Sequence, residues 1–452
     1  MILTDDQGAW AMGCAGNPDV KTPNLDRLAE SGVRFTNFFC TSPVCSPARA
    51  SLFTGKMPSQ HGIHDWLRHE NEQETTTEYL KGQISYTDIL SRNNYTCGIS
   101  GKWHLGHSTK PQKSFSHWYV HASGGSAYHN APMIRNGKLV QEPGYITDLI
   151  TDDGIEFIEL QSTKSNPFYL SVHYTAPHDP WINQHPKKYV ALYDDHTFES
   201  CPKNPEHPWS TTNYRDNHEA NLTGYFASIT AMDYNIGRII DTIEALNLRE
   251  DTLIFFLSDN GFNFGHHGIW GKGNGTFPQN MYDTSVKVPA IMSHPGRIPQ
   301  GKVSDELVSG YDFMPTILDY VGLENPAANE LPGSSFLPNI IDCTMENNNR
   351  NDIVIYDEYG PVRMIRTKEW KYIHRYPDGP HELFHLIEDP EENINLIDAP
   401  DKDDVVALMK DKLERWFVKY VDPSIDGTRE PVKGAGQSGL AGSGGKNYYD
   451  WD

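Results

Sequence analysis

Five residues, Cys45-Ser46-Pro47-Ala48-Arg49, set a soft nucleophile four positions ahead of a permanent cation. Pro47 suits the first turn of a helix, where its missing N–H costs nothing. Residues 48–54 can continue that helix and Gly55 can end it. Cys45 would then stand at a helix N-terminus, whose unpaired N–H groups and dipole favour an anion. A lone cysteine is by itself more often a small buried hydrophobe, so companions elsewhere must decide. Asp5-Asp6 and Asp259-Asn260 offer three carboxylates and an amide oxygen. Such hard donors suit Ca²⁺ or Mg²⁺ and not zinc, which takes Cys or more His. Either pair alone reads as a turn or cap. Two pairs at the ends of apolar runs, with Cys45 between them in sequence, read as one site.

The elements that must position these residues follow from the apolar runs. Ile2-Leu3-Thr4 runs into the Asp pair, and 95–100 runs into Gly101-Lys102-Trp103-His104. Likewise 168–174 runs into Ala176-Pro177-His178, and 252–257 into Ser258-Asp259-Asn260-Gly261. Helical patterns lie between them, at 22–29 and 227–246. Short, nearly continuous apolar strands alternating with helices predict an α/β fold with a large, mostly parallel sheet flanked by helices. Ligands in such sheets sit beyond the carboxyl ends of the strands, so all four polar loops belong on one edge. Past residue 340 the runs at 352–356, 362–366, 370–374 and 382–386 are short and split by turns, as in antiparallel strands, and an amphipathic helix follows at 405–421. The chain therefore divides into an α/β catalytic domain (1–340), a smaller C-terminal α+β domain with an antiparallel sheet and a helix (341–425), and a Gly/Ser-rich tail (426–452). That tail is expected to be mobile unless its aromatic end, Tyr448-Tyr449-Asp450-Trp451, docks.

Composition excludes several classes. At 452 residues the chain exceeds one ordinary core, and 37% hydrophobic content argues against disorder. No run of about 18 apolar residues exists, so no membrane span is expected. Nor does the sequence open on a basic segment followed by an apolar signal core. The six cysteines show no paired spacing, which argues against a disulfide framework. A net charge of −22 makes nucleic acid an improbable partner. For an anionic substrate, it demands a locally positive pocket.

The ordered set of motifs resembles the type I, formylglycine-dependent sulfatases of the alkaline phosphatase superfamily, and among them a bacterial carbohydrate sulfatase. Leu3-Thr4-Asp5-Asp6-Gln7, 22–29, Cys45 to Gly55, Gly101-Lys102-Trp103-His104-Leu105-Gly106, Ala176-Pro177-His178 and Ser258-Asp259-Asn260-Gly261 carry the likeness. It implies that a maturase oxidises Cys45 to formylglycine. Hydrated to a gem-diol, that residue attacks sulfur with one hydroxyl, forms a sulfo-enzyme intermediate, and releases sulfate as the other collapses to carbonyl. It also implies one Ca²⁺, with Mg²⁺ as the alternative, held by Asp5, Asp6, Asp259, Asn260 and the modified Cys45. Arg49 would hold the gem-diol, and Lys102 would stabilise charge on the transferring group. His104 would assist collapse of the gem-diol, while His178 and Lys272 would flank the leaving oxygen. Periplasmic or secreted location is implied as well. Relatives carry several more apolar residues before the Asp pair, so a first strand of Ile2-Leu3-Thr4 is expected to hold the pair less firmly. Gly271-Lys272-Gly273 is not a phosphate loop, since the glycine spacing is wrong and no Ser or Thr follows Lys272.

A sulfated carbohydrate is the expected substrate. Trp66 and Arg68, with His64, Asp65 and His69, follow the nucleophile helix and could line an outer subsite. Arg363 and Arg366 could read a carboxylate or second sulfate from the smaller domain. His173 reads as core. The competing functions are a phosphonate monoester hydrolase or phosphodiesterase of the same superfamily, and a non-catalytic binder of sulfated glycans.

Overall fold

The computed structural model of the protein describes residues 1–68, 77–212, 214–341 and 355–442. His69, Cys343, residues 352–354 of the expected strand and the aromatic end at 448–451 lie outside these.

Ten strands form the main sheet. In chain order they are β1 (Ile2–Thr4), β2 (Val33–Phe35), β3 (Thr96–Gly101), β4 (His117–His121), β5 (His129–Arg135), β6 (Lys138–Tyr145), β7 (Phe168–His173), β8 (Ile254–Ser258), β9 (Ala290–Ser293) and β10 (Lys302–Ser304). Their spatial order is β10-β2-β9-β8-β1-β7-β3-β4-β5-β6. The five central strands, β8-β1-β7-β3-β4, are all parallel. β9 and the β5–β6 hairpin add antiparallel flanks, so the sheet is mixed at its margins.

Alternation along the strands splits the core in two. Leu3, Phe255 and Leu257 join one apolar cluster, while Ile2, Ile254 and Phe256 join the cluster on the other face. The helix α1 (Pro23–Glu30) contributes Leu25 and Leu28 to the second cluster, and so do α3 (Ile146–Ser162) and the long α4 (His218–Ala245). Both clusters are buried between layers, which is why these strands read as continuous apolar runs rather than alternating ones. Short as it is, β1 is central and fully paired, with Leu3 opposite His173 on one side and Leu257 on the other. Its hydrogen bonding continues into the loop, where the Asp5 N–H donates to the Ala176 carbonyl at 3.1 Å.

Four antiparallel strands follow, β11 (Ile355–Tyr359), β12 (Val362–Arg366), β13 (Trp370–Arg375) and β14 (Glu382–His385). Ile355, Met364, Ile373 and Phe384 face the first core cluster, and Tyr356, Ile365, Tyr372 and Leu383 face α5 (Asp403–Tyr420) through Met409, Leu413 and Phe417. The small sheet is thus sandwiched between the main core and its own helix.

Candidate active site

The loops after β1, β3, β7 and β8 meet at the carboxyl edge of the parallel strands, as a parallel sheet requires. Asp6 adopts φ = 65°, a left-handed conformation uncommon for a residue with a side chain. Its own N–H reaches Asp259 Oδ1 at 3.4 Å, and Tyr225 of α4 donates to its carbonyl at 3.0 Å. Carboxylate oxygens of Asp5, Asp6 and Asp259 lie within 4.8 Å of one another. Asn260 Nδ2 donates to Asp6 Oδ1 at 2.7 Å, and Asn260 Oδ1 is buried with no hydrogen-bond partner.

Helix α2 (Cys45–Thr54) brings the nucleophile into this cluster, and Gly55 closes it at φ = 68°. The sulfur marks where an oxygen on the same β-carbon would lie. Cys45 Sγ is 3.2 Å from Asp5 Oδ1, and Lys272 Nζ donates to Sγ at 2.9 Å and to Asp6 Oδ1 at 2.5 Å. One turn along, Arg49 donates from Nε to Asp259 Oδ2 at 2.8 Å and from Nη1 to the Lys102 carbonyl at 2.9 Å. Lys102 Nζ forms a buried ion pair with Asp5 Oδ2. Three cations therefore interleave with three carboxylates. Within an acidic protein this offsets the charge of the carboxylate cluster.

Two histidines complete the constellation. His104, at φ = 54°, donates from Nε2 to the Leu67 carbonyl at 2.9 Å, which leaves Nδ1 as the acceptor nitrogen. His178 donates from Nδ1 to the Asp179 carbonyl at 2.7 Å, which leaves Nε2 turned to the carboxylates, 3.8 Å from Asp6 Oδ2. His173 is core as expected. Its Nδ1 also donates at 3.0 Å to the Lys102 carbonyl that Arg49 grips.

The electrostatics follow from burial against charge. Burial pushes the Asp5 carboxyl up, but Lys102, His178, Lys272 and Arg49 outweigh it and hold Asp5 well below the usual carboxylate range. Burial and the neighbouring Asp5 push Asp259 up to about 6 despite Arg49 and Lys102. For Lys272, burial works against the charged form, yet Asp6, Cys45 and Asp5 raise it well above an ordinary lysine. The Cys45 thiol is pushed up to about 12, by burial first and Asp5 second. A thiol held that high is not a thiolate at neutral pH and is a poor nucleophile.

The chemistry of the donor set fits a hard divalent cation, with three converging carboxylates, an orphaned amide oxygen and no histidine cluster among them.

Other expectations meet a different arrangement. Arg363 is not open to a ligand: its guanidinium is buried against Glu358 and Asp426, both at 2.8 Å, and stacks over Phe417. Arg366 is likewise committed to Asp283 at 2.9 Å. Both arginines tie the small sheet to its surroundings, so their reading as substrate contacts is corrected. Trp66 Nε1 donates to the Gly434 carbonyl at 3.2 Å, and the Arg68 N–H donates to the Gln437 carbonyl at 2.9 Å. Residues 434–437 of the tail are thus hydrogen-bonded to the segment after the nucleophile helix. Sequence reasoning also missed the loop Ser123-Gly124-Gly125-Ser126. A Cβ at Gly124 would lie 2.3 Å from the His104 ring, so the backbone lies directly on that histidine. The double glycine after β4 was the available signal.

Fold and site together define a hydrolase of anionic esters with an alkaline-phosphatase-like architecture. The sulfatase family model matches residues 1–323, and the model for the C-terminal part of N-sulphoglucosamine sulphohydrolase matches 265–419. The chain belongs to the sulfatase family and is a sulfuric ester hydrolase. Among its relatives, the N-acetylglucosamine-6-O-sulfatase of Bacteroides thetaiotaomicron is 27% identical, over 94% of this chain and 87% of the relative. The ulvan-active sulfatase of Formosa agariphila is 29% identical, over 93% of this chain and 81% of its own. A protein solved in complex with its substrate D-glucosamine-2-N,6-O-disulfate shares the fold, with a TM-score of 0.77, 24% identity and coverage of 93% and 97%.

Proposed function

We propose that this chain hydrolyses a sulfate ester on a sulfated carbohydrate, with Cys45 carried as formylglycine after oxidation by a dedicated maturase. One observation carries the reading. Cys45 heads a buried helix between Lys272 and Asp5, in surroundings that suppress its thiolate. In that setting formylglycine supplies a hydrated aldehyde, one hydroxyl attacking sulfur and the other later collapsing to carbonyl as sulfate departs. Asp5, Asp6, Asp259, Asn260 and the oxygen at position 45 would hold one Ca²⁺, or Mg²⁺, whose charge offsets that of the sulfate oxygens.

The chain's own residues do the rest. Lys272 and Lys102 meet the negative charge that develops on the transferring group, in a site with little water to screen it. Arg49, pinned by Asp259 and the Lys102 carbonyl, fixes the first turn of the helix and hence the position of residue 45. His178 delivers a proton to the departing alcohol through Nε2. His104, with Nδ1 left as acceptor, takes the proton of the second hydroxyl.

The carbohydrate is supported by what the relatives act on. Sulfated polysaccharide degradation would place the enzyme outside the cytoplasm, in the periplasm or secreted. No helix among the described residues is long and apolar enough to cross a membrane. The test is a panel of N-acetylglucosamine 6-sulfate, N-acetylgalactosamine 6-sulfate and ulvan oligosaccharides, with matched aryl sulfate and aryl phosphonate. Release of sulfate from at least one sugar, above the aryl phosphonate rate, is expected. Turnover of the phosphonate alone overturns the reading.

A further inference from the structure

We propose that Gln437, in the C-terminal segment, is a positioning residue for the sulfate-releasing half of the reaction, acting through Leu67 on His104. The proposal rests on the roles given above to Cys45 and His104. Its premise is the way residues 66–68 are shared between two partners.

In an extended segment the backbone N–H and C=O of one residue point to one side, and those of the next residue to the other. Trp66 and Arg68 turn to the C-terminal segment. Gln437 N–H donates to the Trp66 carbonyl at 2.7 Å, and Arg68 N–H donates to the Gln437 carbonyl at 2.9 Å. Leu67, between them, turns to the active site. Its N–H donates to Ser46 Oγ at 3.0 Å, beside the nucleophile, and its carbonyl accepts from His104 Nε2 at 2.9 Å. The same three residues therefore bond Gln437 along one edge, and the nucleophile helix and His104 along the other.

Gln437 is built in rather than draped over. It is fully buried, and its side chain makes three further bonds. Oε1 accepts from His64 N–H at 2.9 Å, and Nε2 donates to the carbonyls of Gly62 at 3.0 Å and Gly439 at 2.8 Å. Two neighbours extend the clamp. Asp65 accepts from Gly436 N–H at 3.0 Å and from the Tyr359 hydroxyl at 2.7 Å, so β11 holds the loop as well. The Gly434 carbonyl accepts at 3.2 Å from Asn274, two residues past Lys272. Backbone this firmly bonded keeps the Leu67 carbonyl in place, and that carbonyl fixes the His104 tautomer with Nδ1 as base. In the release step, Nδ1 takes the proton of the remaining hydroxyl on residue 45. The electrons of that O–H bond form the carbonyl, and the carbon–oxygen bond to sulfate breaks. Loosening Leu67 should slow this step and spare the first.

Two readouts test it in the full-length enzyme. Hydrogen exchange, measured on protein with Cys45 unconverted, should show the amides of 64–68 exchanging faster in Gln437→Ala, with the central strands unchanged. Rapid-quench kinetics on 4-nitrophenyl sulfate with converted enzyme should show a burst of nitrophenolate, followed by a kcat lowered about 10- to 100-fold. A general fault in the fold would instead slow both phases. Gln437→Met keeps the bulk without the hydrogen bonds, and it replaces Gln437→Ala if that variant melts globally. An unchanged kcat, or a loss of the burst phase itself, in the variant that folds overturns the proposal. If wild type cleaves no sulfate ester, the catalytic reading above falls instead, and the exchange arm still judges the clamp.

Discussion

At the residue scale, His104 and His178 differ in which nitrogen is tied to backbone. His178 spends Nδ1 on the Asp179 carbonyl and keeps Nε2 for the site, whereas His104 spends Nε2 on the Leu67 carbonyl and keeps Nδ1. The tautomers decide which nitrogen of each ring is left for proton transfer, Nε2 of His178 and Nδ1 of His104. If His178 is the acid, its loss matters in proportion to how poor the leaving group is. His178→Ala should lower kcat/KM by about 10²-fold or more on a sulfated sugar. It should have much less effect on 4-nitrophenyl sulfate, whose phenolate departs unaided. Equal losses on both would remove His178 from that role. The two acidic pairs were legible as one cluster because each ends an apolar run, a signal carried by local sequence alone. The misreading of Arg363 has the same origin in reverse, since Glu358 and Asp426 become its partners only after folding.

At the element scale, parallel strands brought the four motif loops to one edge, and the apolar runs sufficed to foresee it. Helix boundaries moved by a few residues. The helix expected over 405–421 is Asp403–Tyr420, and the one expected over 227–246 begins nine residues earlier, at His218. That earlier start lies in a polar stretch where periodicity is weak. What the pattern could not show is close backbone approach, because a missing side chain leaves no hydrophobic signature. Gly124 is the clear case. Gly124→Ala should displace the His104 ring, lowering kcat by about tenfold or more, while thermal stability changes little. A variant with wild-type kcat would mean that the loop gives way easily and does not fix the histidine.

At the scale of the whole molecule, the smaller sheet and the tail are structural partners of the active site. One face of the sheet joins the main core, and Arg363 and Glu358 tie its strands to Ser59, just past the nucleophile helix, where Glu358 accepts from the Ser59 hydroxyl at 2.7 Å. Removing one member of such a buried pair leaves the other charge uncompensated. Arg363→Ala should therefore cost about 3–5 kcal/mol of stability, with the KM for a sulfated sugar unchanged below the melting transition. A raised KM with intact stability would restore the substrate-contact reading. The bonding of 434–437 was illegible for a physical reason. Glycine and serine compose linkers and tightly bonded backbone alike, and only the partner segment 62–68 distinguishes them.

The central claim is that position 45 works as an aldehyde hydrate and not as a thiol. The direct measurement is mass spectrometry of the peptide containing Cys45, from protein made with and without a formylglycine-generating maturase, paired with sulfate release by the same samples. The account predicts that sulfate release rises in proportion to the aldehyde-bearing fraction and is absent from the thiol form and from Cys45→Ala. Full turnover by protein whose Cys45 is entirely thiol would contradict it.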